Sequence, residues 1–225
     1  MFNNSLLHVA LNNFSIYFPM GVSHITDLAG IDHILFITVL CIRYTLQDWK
    51  KILVLVTAFT IGHSVTLILS TLEIISFPIA LTEFFIALTI LVTAFSNCFV
   101  KEFSFKSKYP VIYFFALFFG LIHGLGFSTL LKNMLGTDHN IVWQLLSFNL
   151  GIEAGQLIIV SCILLCTFIS LRIFRMKRRE YILFVSGGIA ALSIEMAIQR
   201  FPLILNKKDE KTIHVQRPAP VMGFI

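Results

Sequence analysis

Charge is scarce in this chain. Asp, Glu, Lys and Arg make up only 13% of its 225 residues, about half the share in a soluble domain, which excludes a water-facing surface of ordinary polarity. Cysteine is scarce too. Cys41, Cys98, Cys162 and Cys166 form no CxxC pair, so neither a disulfide framework nor a thiolate metal site is indicated, and they read as small packing residues. No Lys or Arg precedes Arg43, so the first segment lacks the basic start of a secretory signal. What is abundant is apolar: 57% hydrophobic residues, 23 of them Phe, with a mean hydropathy of +0.86. The net charge of +5 does not argue for a nucleic-acid partner, because the basic residues sit between apolar runs. The partner the composition implies is the lipid bilayer.

Six stretches are apolar and long enough to cross it as helices, at roughly 31–46, 51–70, 78–98, 110–131, 142–171 and 181–199. Ahead of them Leu6, Ala10, Phe14, Tyr17 and Phe18 share one helical face, with Asn residues opposite. That pattern predicts an interfacial helix ending near Pro19 and Gly21. The expected fold is therefore all-α, a polytopic membrane bundle of about six transmembrane helices. Residues 1–30 supply the interfacial helix and an outer loop carrying His24, 31–200 the transmembrane domain and 201–225 a flexible tail. No internal repeat is strong enough to argue for a duplicated transporter.

Most of the 17 basic residues fall in three loops. These hold Arg43, Lys50 and Lys51; then Lys101, Lys106 and Lys108; then Arg172, Arg175, Lys177, Arg178 and Arg179. The positive-inside rule makes those loops cytoplasmic and the N-terminus external. The tail follows six spans and so falls outside as well, against the sign of its own Lys207, Lys208, Lys211 and Arg217.

Ionisable groups at membrane depth are expensive and normally face a cavity or a partner. The spans carry Asp32, His33, His63, Glu83, His123, Glu153 and Glu195, with His24 just ahead of the first. At about 1.5 Å rise per residue, His63, His123 and Glu195 lie about 18–21 Å from the cytoplasmic ends of their helices. Glu83, Asn149 and Glu153 lie about 8, 10 and 16 Å from the outer ends. Most therefore share one layer in the outer half, with Asp32 and His33 just above it and His24 at the rim. Unrelated structural residues would scatter in depth; a polar core that merely ties the bundle together is the bland alternative. Asn149, Glu153 and Gln156 recur on one face, and Gly120, Gly124, Gly151 and Gly155 allow close helix approach.

Imidazoles and carboxylates without thiolates suit a borderline divalent cation such as nickel, cobalt or zinc. His24, Asp32, His33, His63, His123 and Glu153 are the candidate ligands. Glu83, Asn149, Gln156 and Gly124 support them, and Asp32 has a second available role as the cap of its helix.

The strings GVSHITDLAGIDHILF, FTIGHSVTLIL, LTEFFIALTI, FFGLIHGLGF and FNLGIEAGQL resemble, in order, the motif series of the HupE/UreJ family. The closer likeness is to its second, divergent branch, and it runs from about Gly21 to Gln156. These are bacterial membrane proteins associated with hydrogenase and urease. The resemblance implies an inner-membrane protein and, as in the best-known members, nickel or cobalt uptake. Two motifs, H-x5-D-H and F-H-G-x-A-H-G-x-E, carry function there. They map onto His24, Asp32 and His33, and onto His123 with Gly124. This chain departs from both: seven residues separate His24 from Asp32, Phe119 replaces the first His of the second motif, and Gly126 replaces its Glu.

The leading expectation is a divalent-metal permease or binding protein. A different class is an intramembrane zinc hydrolase, with the same His/Asp cluster opening outward, Glu153 as general base and Ser64 orienting substrate. A bis-histidine haem protein using His63 and His123 and a scaffold for metallocentre assembly complete the alternatives. The sequence identifies no protein partner.

Overall fold

The computed structural model describes residues 2–99, 112–134 and 141–205, and the tail expected at 201–225 falls largely outside them. Every regular element among the described residues is helical: α1 Phe2–Thr26, α2 Ile31–Cys41, α3 Trp49–Thr71, α4 Ile79–Phe99, α5 Ile112–Met134, α6 Ile141–Phe168 and α7 Arg178–Leu205. The protein is an all-α membrane bundle. The outward faces carry large apolar side chains such as Phe95, Phe114, Phe184 and Ile198, while Thr60, Thr66, Thr89, Thr93, Gln144, Gln156, Ser186 and Ser193 are buried. Apolar side chains thus face outward as well as forming the core, and polar groups are set within that core, a pattern a lipid surround allows. The hydroxyls of Thr38, Thr60, Thr93, Thr167 and Ser193 donate to the carbonyl one turn back on their own helix, which satisfies them where no water reaches. Cys162 and Cys166 are exposed on α6 rather than packed inside.

The first span differs from expectation. α2 has 11 residues, too few to cross a core that needs about 20. α1 does not stop at Pro19 but continues to Thr26. The chain then bends by 70° between Ala10–Thr26 and Ile31–Cys41, and the two pieces together meet the length and composition of one broken span. α3, α4, α6 and α7 are each long and apolar enough to span alone. α5 has 23 residues, with its described apolar stretch over Ile112–Gly126.

Two glycine seams fix the packing. A Cβ on Gly62 of α3 would strike the carbonyl of Leu117, one on Gly120 of α5 the carbonyl of Phe59, and one on Gly124 the carbonyl of His63. On the other pair, Gly21 of α1 abuts the carbonyl of Phe148, Gly151 of α6 that of Phe18, and Gly155 the side chain of Ile25. Contacts advance together along both chains, so each pair runs parallel, backbone against backbone. α4 and α7 form the third closely packed pair. Asn97 of α4 locks that pair to α2, donating to the Val39 carbonyl at 2.8 Å and bonding Ser186 of α7 at 3.3 Å.

The ends of the bundle are chemically distinct. Arg178 donates to the Arg43 carbonyl at 2.6 Å, bringing two of the basic segments together. A short 3-10 turn, Leu46–Asp48, leads into α3 there and carries a capping box, with Thr45 N–H and hydroxyl both bonding Asp48 Oδ2, at 3.2 and 3.0 Å. Asp32, Glu83 and Arg200 meet near the other end.

Replacing Gly120 by Leu forces two backbones apart and should cost about 3 kcal/mol or more. Gly188, which a Cβ would find in open space, should accept Ala within about 0.5 kcal/mol. Thermal unfolding in detergent compares the two; equal losses would mean the seam does not hold α3 to α5.

Candidate metal centre

The bend after α1 and the glycine seams deliver four imidazoles to one place. His24 ends α1, His33 lies in the first turn of α2, His63 is on α3 and His123 on α5. Gly62 and Gly124, beside His63 and His123 in the chain, set those two helices at backbone contact. His33 is central: its ring centroid is 4.8 Å from that of His24, 5.3 Å from His123 and 6.3 Å from His63, and His24 and His63 are 5.9 Å apart. His63 and His123 are 0% and 1% exposed, and His33 is 7% exposed.

The nitrogens indicate what these rings can do. His123 Nδ1 lies 2.9 Å from the Phe119 carbonyl. A carbonyl only accepts, so Nδ1 carries the proton and Nε2 is left with a lone pair. His33 Nδ1 likewise faces acceptors alone, the Gly30 carbonyl at 3.4 Å and Asp32 Oδ1 at 3.3 Å. Nε2 of His33, Nε2 of His123 and both nitrogens of His63 are buried with no hydrogen-bond partner among the described residues. An imidazole that donates one N–H to a carboxylate or carbonyl and keeps the other nitrogen bare is arranged as metal-ligating histidines are. Four imidazoles around a tetrahedral ion at about 2.1 Å would have centroids about 5 Å apart, close to the spacings here. The rings are not closed on a point, however: among the described residues no three His, Cys, Asp or Glu groups are already set to hold one ion. The donor set and its bare nitrogens fit a borderline cation, whereas the present ring orientations leave the ligands to be drawn in.

Asp32 stands behind the ring. Its Oδ1 accepts the backbone N–H of His33 at 3.1 Å as well as facing the His33 ring, so it orients an imidazole from within the first turn of α2, whose N-cap position is Gly30 with no side-chain cap, instead of capping the helix as expected. The aromatic walls are Phe36 and Phe59, with centroids 5.1 and 5.3 Å from His123, and Phe148, 5.8 Å from His24. Beyond Phe36 and Phe59 lies a small cavity lined by Leu40, Cys41, Leu55, Val56 and Gln156 among others.

Other expected participants lie elsewhere. Glu153 accepts a bond from Thr57 at 3.0 Å, and Gln156 one from Thr60 at 2.8 Å, a polar pair of rungs between α3 and α6. Glu195 is exposed and bonds Gln199 on its own helix. Glu83 engages Arg200, whose Nε lies 3.9 Å from Oε2. Ser64 donates back to the Thr60 carbonyl at 2.7 Å. Asn149 Oδ1 is buried without a partner among the described residues, and Gly124 serves the α3–α5 seam. Nothing in the sequence singles out Arg200. Placed at the end of the last apolar run, it reads as an interfacial anchor, and only the fold brings it to Asp32.

A comparison with protein families matches residues 3–200 to a family described as HupE / UreJ protein, the second of that name. No curated protein matches the chain, and no solved structure does.

A buried polar group without a partner destabilises by about 1–3 kcal/mol. His63→Leu should therefore hold or raise the melting temperature of the metal-free protein. A clear fall would give His63 a structural role in its place.

Proposed function

The chain belongs to the HupE/UreJ family, and on that premise we propose that it is a permease or binding protein for a divalent transition metal such as nickel, cobalt or zinc. The observation that carries this reading is the set of bare, buried imidazole nitrogens on His33, His63 and His123, grouped with His24. A functionless cluster of this kind would be a standing cost in a medium that offers no water to satisfy it.

His33, His63, His123 and His24 are the proposed ligands, and Asp32 is the proposed anionic partner, fixing the His33 tautomer and lowering the cost of bringing a dication into low dielectric. Under the positive-inside rule the basic end, at Arg43 and Arg178, faces the cytoplasm of a bacterial inner membrane and the N-terminus lies outside. His63 is then about 12 Å from the outer end of α3 and about 21 Å from the inner end, so the ion is taken up from outside. A broken span at a midmembrane site is a recurrent feature of transporters, because a discontinuous helix supplies both exposed backbone and a hinge. Passage inward requires Phe36 and Phe59 to part. The cavity beyond them, with Gln156 and then the Thr57–Glu153 pair, is the proposed continuation.

A hydrolase reading draws less support. A lipid or amide substrate needs a groove beside the metal and a free general base. His63 and His123 are fully enclosed, and the Glu153 carboxylate is engaged by Thr57.

Titration of the purified full chain with nickel, cobalt or zinc should give one bound ion. His63→Ala/His123→Ala should abolish it, and Asp32→Asn should weaken it by about 10–100-fold. Glu153→Gln should leave affinity unchanged. Binding should decline as pH falls, because protons compete with the ion for the same nitrogens. Wild-type affinity in the double variant would remove the assignment. In liposomes a permease accumulates the ion, whereas retention at one per chain would reduce the reading to binding alone.

A further inference from the structure

Arg200 is placed where a metal site has most to lose from a positive charge. It reaches from α7 across the start of α4 to the start of α2. Nη1 donates to the Glu83 carbonyl at 2.8 Å, Nε lies 3.9 Å from Glu83 Oε2, and Nη2 lies 3.5 Å from Asp32 Oδ2. All three side chains are largely enclosed, with Arg200, Asp32 and Glu83 exposed by 19, 14 and 17%. Asp32 is thus divided between two partners: Oδ1 faces His33 and Oδ2 faces the guanidinium. One carboxylate connects a fixed cation to the imidazole ring.

A guanidinium stays protonated under all physiological conditions and suits planar recognition of carboxylates. Here it has two chemical effects on any ion approaching the histidines. It repels the ion, which raises the requirement for strong donor bonds. It also engages an oxygen of Asp32, the carboxylate that adjoins His33, and an oxygen of Glu83, both hard anionic groups. Magnesium and calcium bind through such oxygens and gain little from imidazole, whereas nickel, cobalt and zinc bind imidazole well. A site formed by four histidines and two unengaged carboxylates would accept either class. With the carboxylates held by Arg200, only the imidazoles are offered.

We propose that Arg200 is the specificity-determining residue of this site: a tethered cation that holds Asp32 and Glu83 away from the incoming ion and so excludes magnesium and calcium. This rests on the metal-binding reading above. It goes beyond it by assigning a role to a residue that would touch no metal. It also gives the α4–α7 pair a function, since α7 brings the guanidinium to the mouth and α4 supplies its second anchor.

The test uses the full chain in lipid nanodiscs, with nickel as probe and magnesium or calcium as competitor. Wild-type protein should bind nickel with an affinity insensitive to millimolar magnesium. In Arg200→Gln, magnesium and calcium should lower the apparent nickel affinity by about tenfold or more, because a repelling charge is lost and oxygen ligands are released. Arg200→Lys, whose single ammonium cannot fork between two carboxylates, should fall between them and serves where the Gln variant does not fold. Selectivity unchanged in a folded Arg200 variant, even with a lowered melting temperature, would overturn the proposal and leave Arg200 a tie between helices. Absence of nickel binding by the wild type would instead overturn the metal reading itself.

Discussion

Backbone contact at glycine is the constraint on which the rest of this structure depends. Helices in lipid gain nothing from burying apolar surface against one another, so they associate where small residues let main chains touch. Gly62 with Gly120 and Gly124 does this for α3 and α5, and Gly21 with Gly151 and Gly155 does it for α1 and α6. Neither pair can slide without driving a side chain into a carbonyl. The depth and facing of His63 and His123 follow from the first seam, and the position of His24, one turn beyond Gly21, from the second.

Against that rigid frame stand groups that the membrane ought to reject. Nε2 of His33, Nε2 of His123 and both nitrogens of His63 have no partner among the described residues, while the hydroxyls nearby are satisfied with care by bonds to their own helices. The contrast is local and chemical. Threonines Thr60 and Thr66 are accommodated; the imidazoles beside them are kept bare. Sites that must bind something commonly carry such a cost, and the surrounding packing has to over-determine the geometry for it to persist. Asp32 and Arg200 extend the same logic outward, since each charge is placed against another rather than against solvent.

Much of the fold is legible in the sequence because hydropathy reads lipid exposure directly. The spans of α3, α4, α6 and α7 fall close to where apolar runs place them. The first span is less legible. Pro19 and Gly21 look like a helix terminus, yet in a membrane bundle a neighbouring helix can absorb a proline, and Gly21 is a packing contact rather than a stop. The real break lies at Asp27–Gly30, where the Asp27 N–H returns to Ser23 and the Gly30 N–H to Asp27. In the site, depth arithmetic puts His63 and His123 in one layer with Asp32 and His33 just above it, and in the structure the ring of His33 lies 6.3 and 5.3 Å from those of His63 and His123. It fails for Glu153 and Glu195, because depth fixes the level of a side chain and not its azimuth: Glu153 turns to Thr57, and Glu195 turns outward. It fails for Arg200 in the opposite sense, since a residue at a helix end carries no sign of which neighbours the tilt of that helix will give it.

If imidazoles of this cluster bind a metal ion, zinc K-edge X-ray absorption on the full chain in nanodiscs will see their nitrogens. At least three nitrogen ligands at about 2.0–2.1 Å are expected, with the outer-shell scattering that imidazole rings impose. A shell of oxygens without ring scattering, or no zinc retained by folded protein, would contradict imidazole ligation.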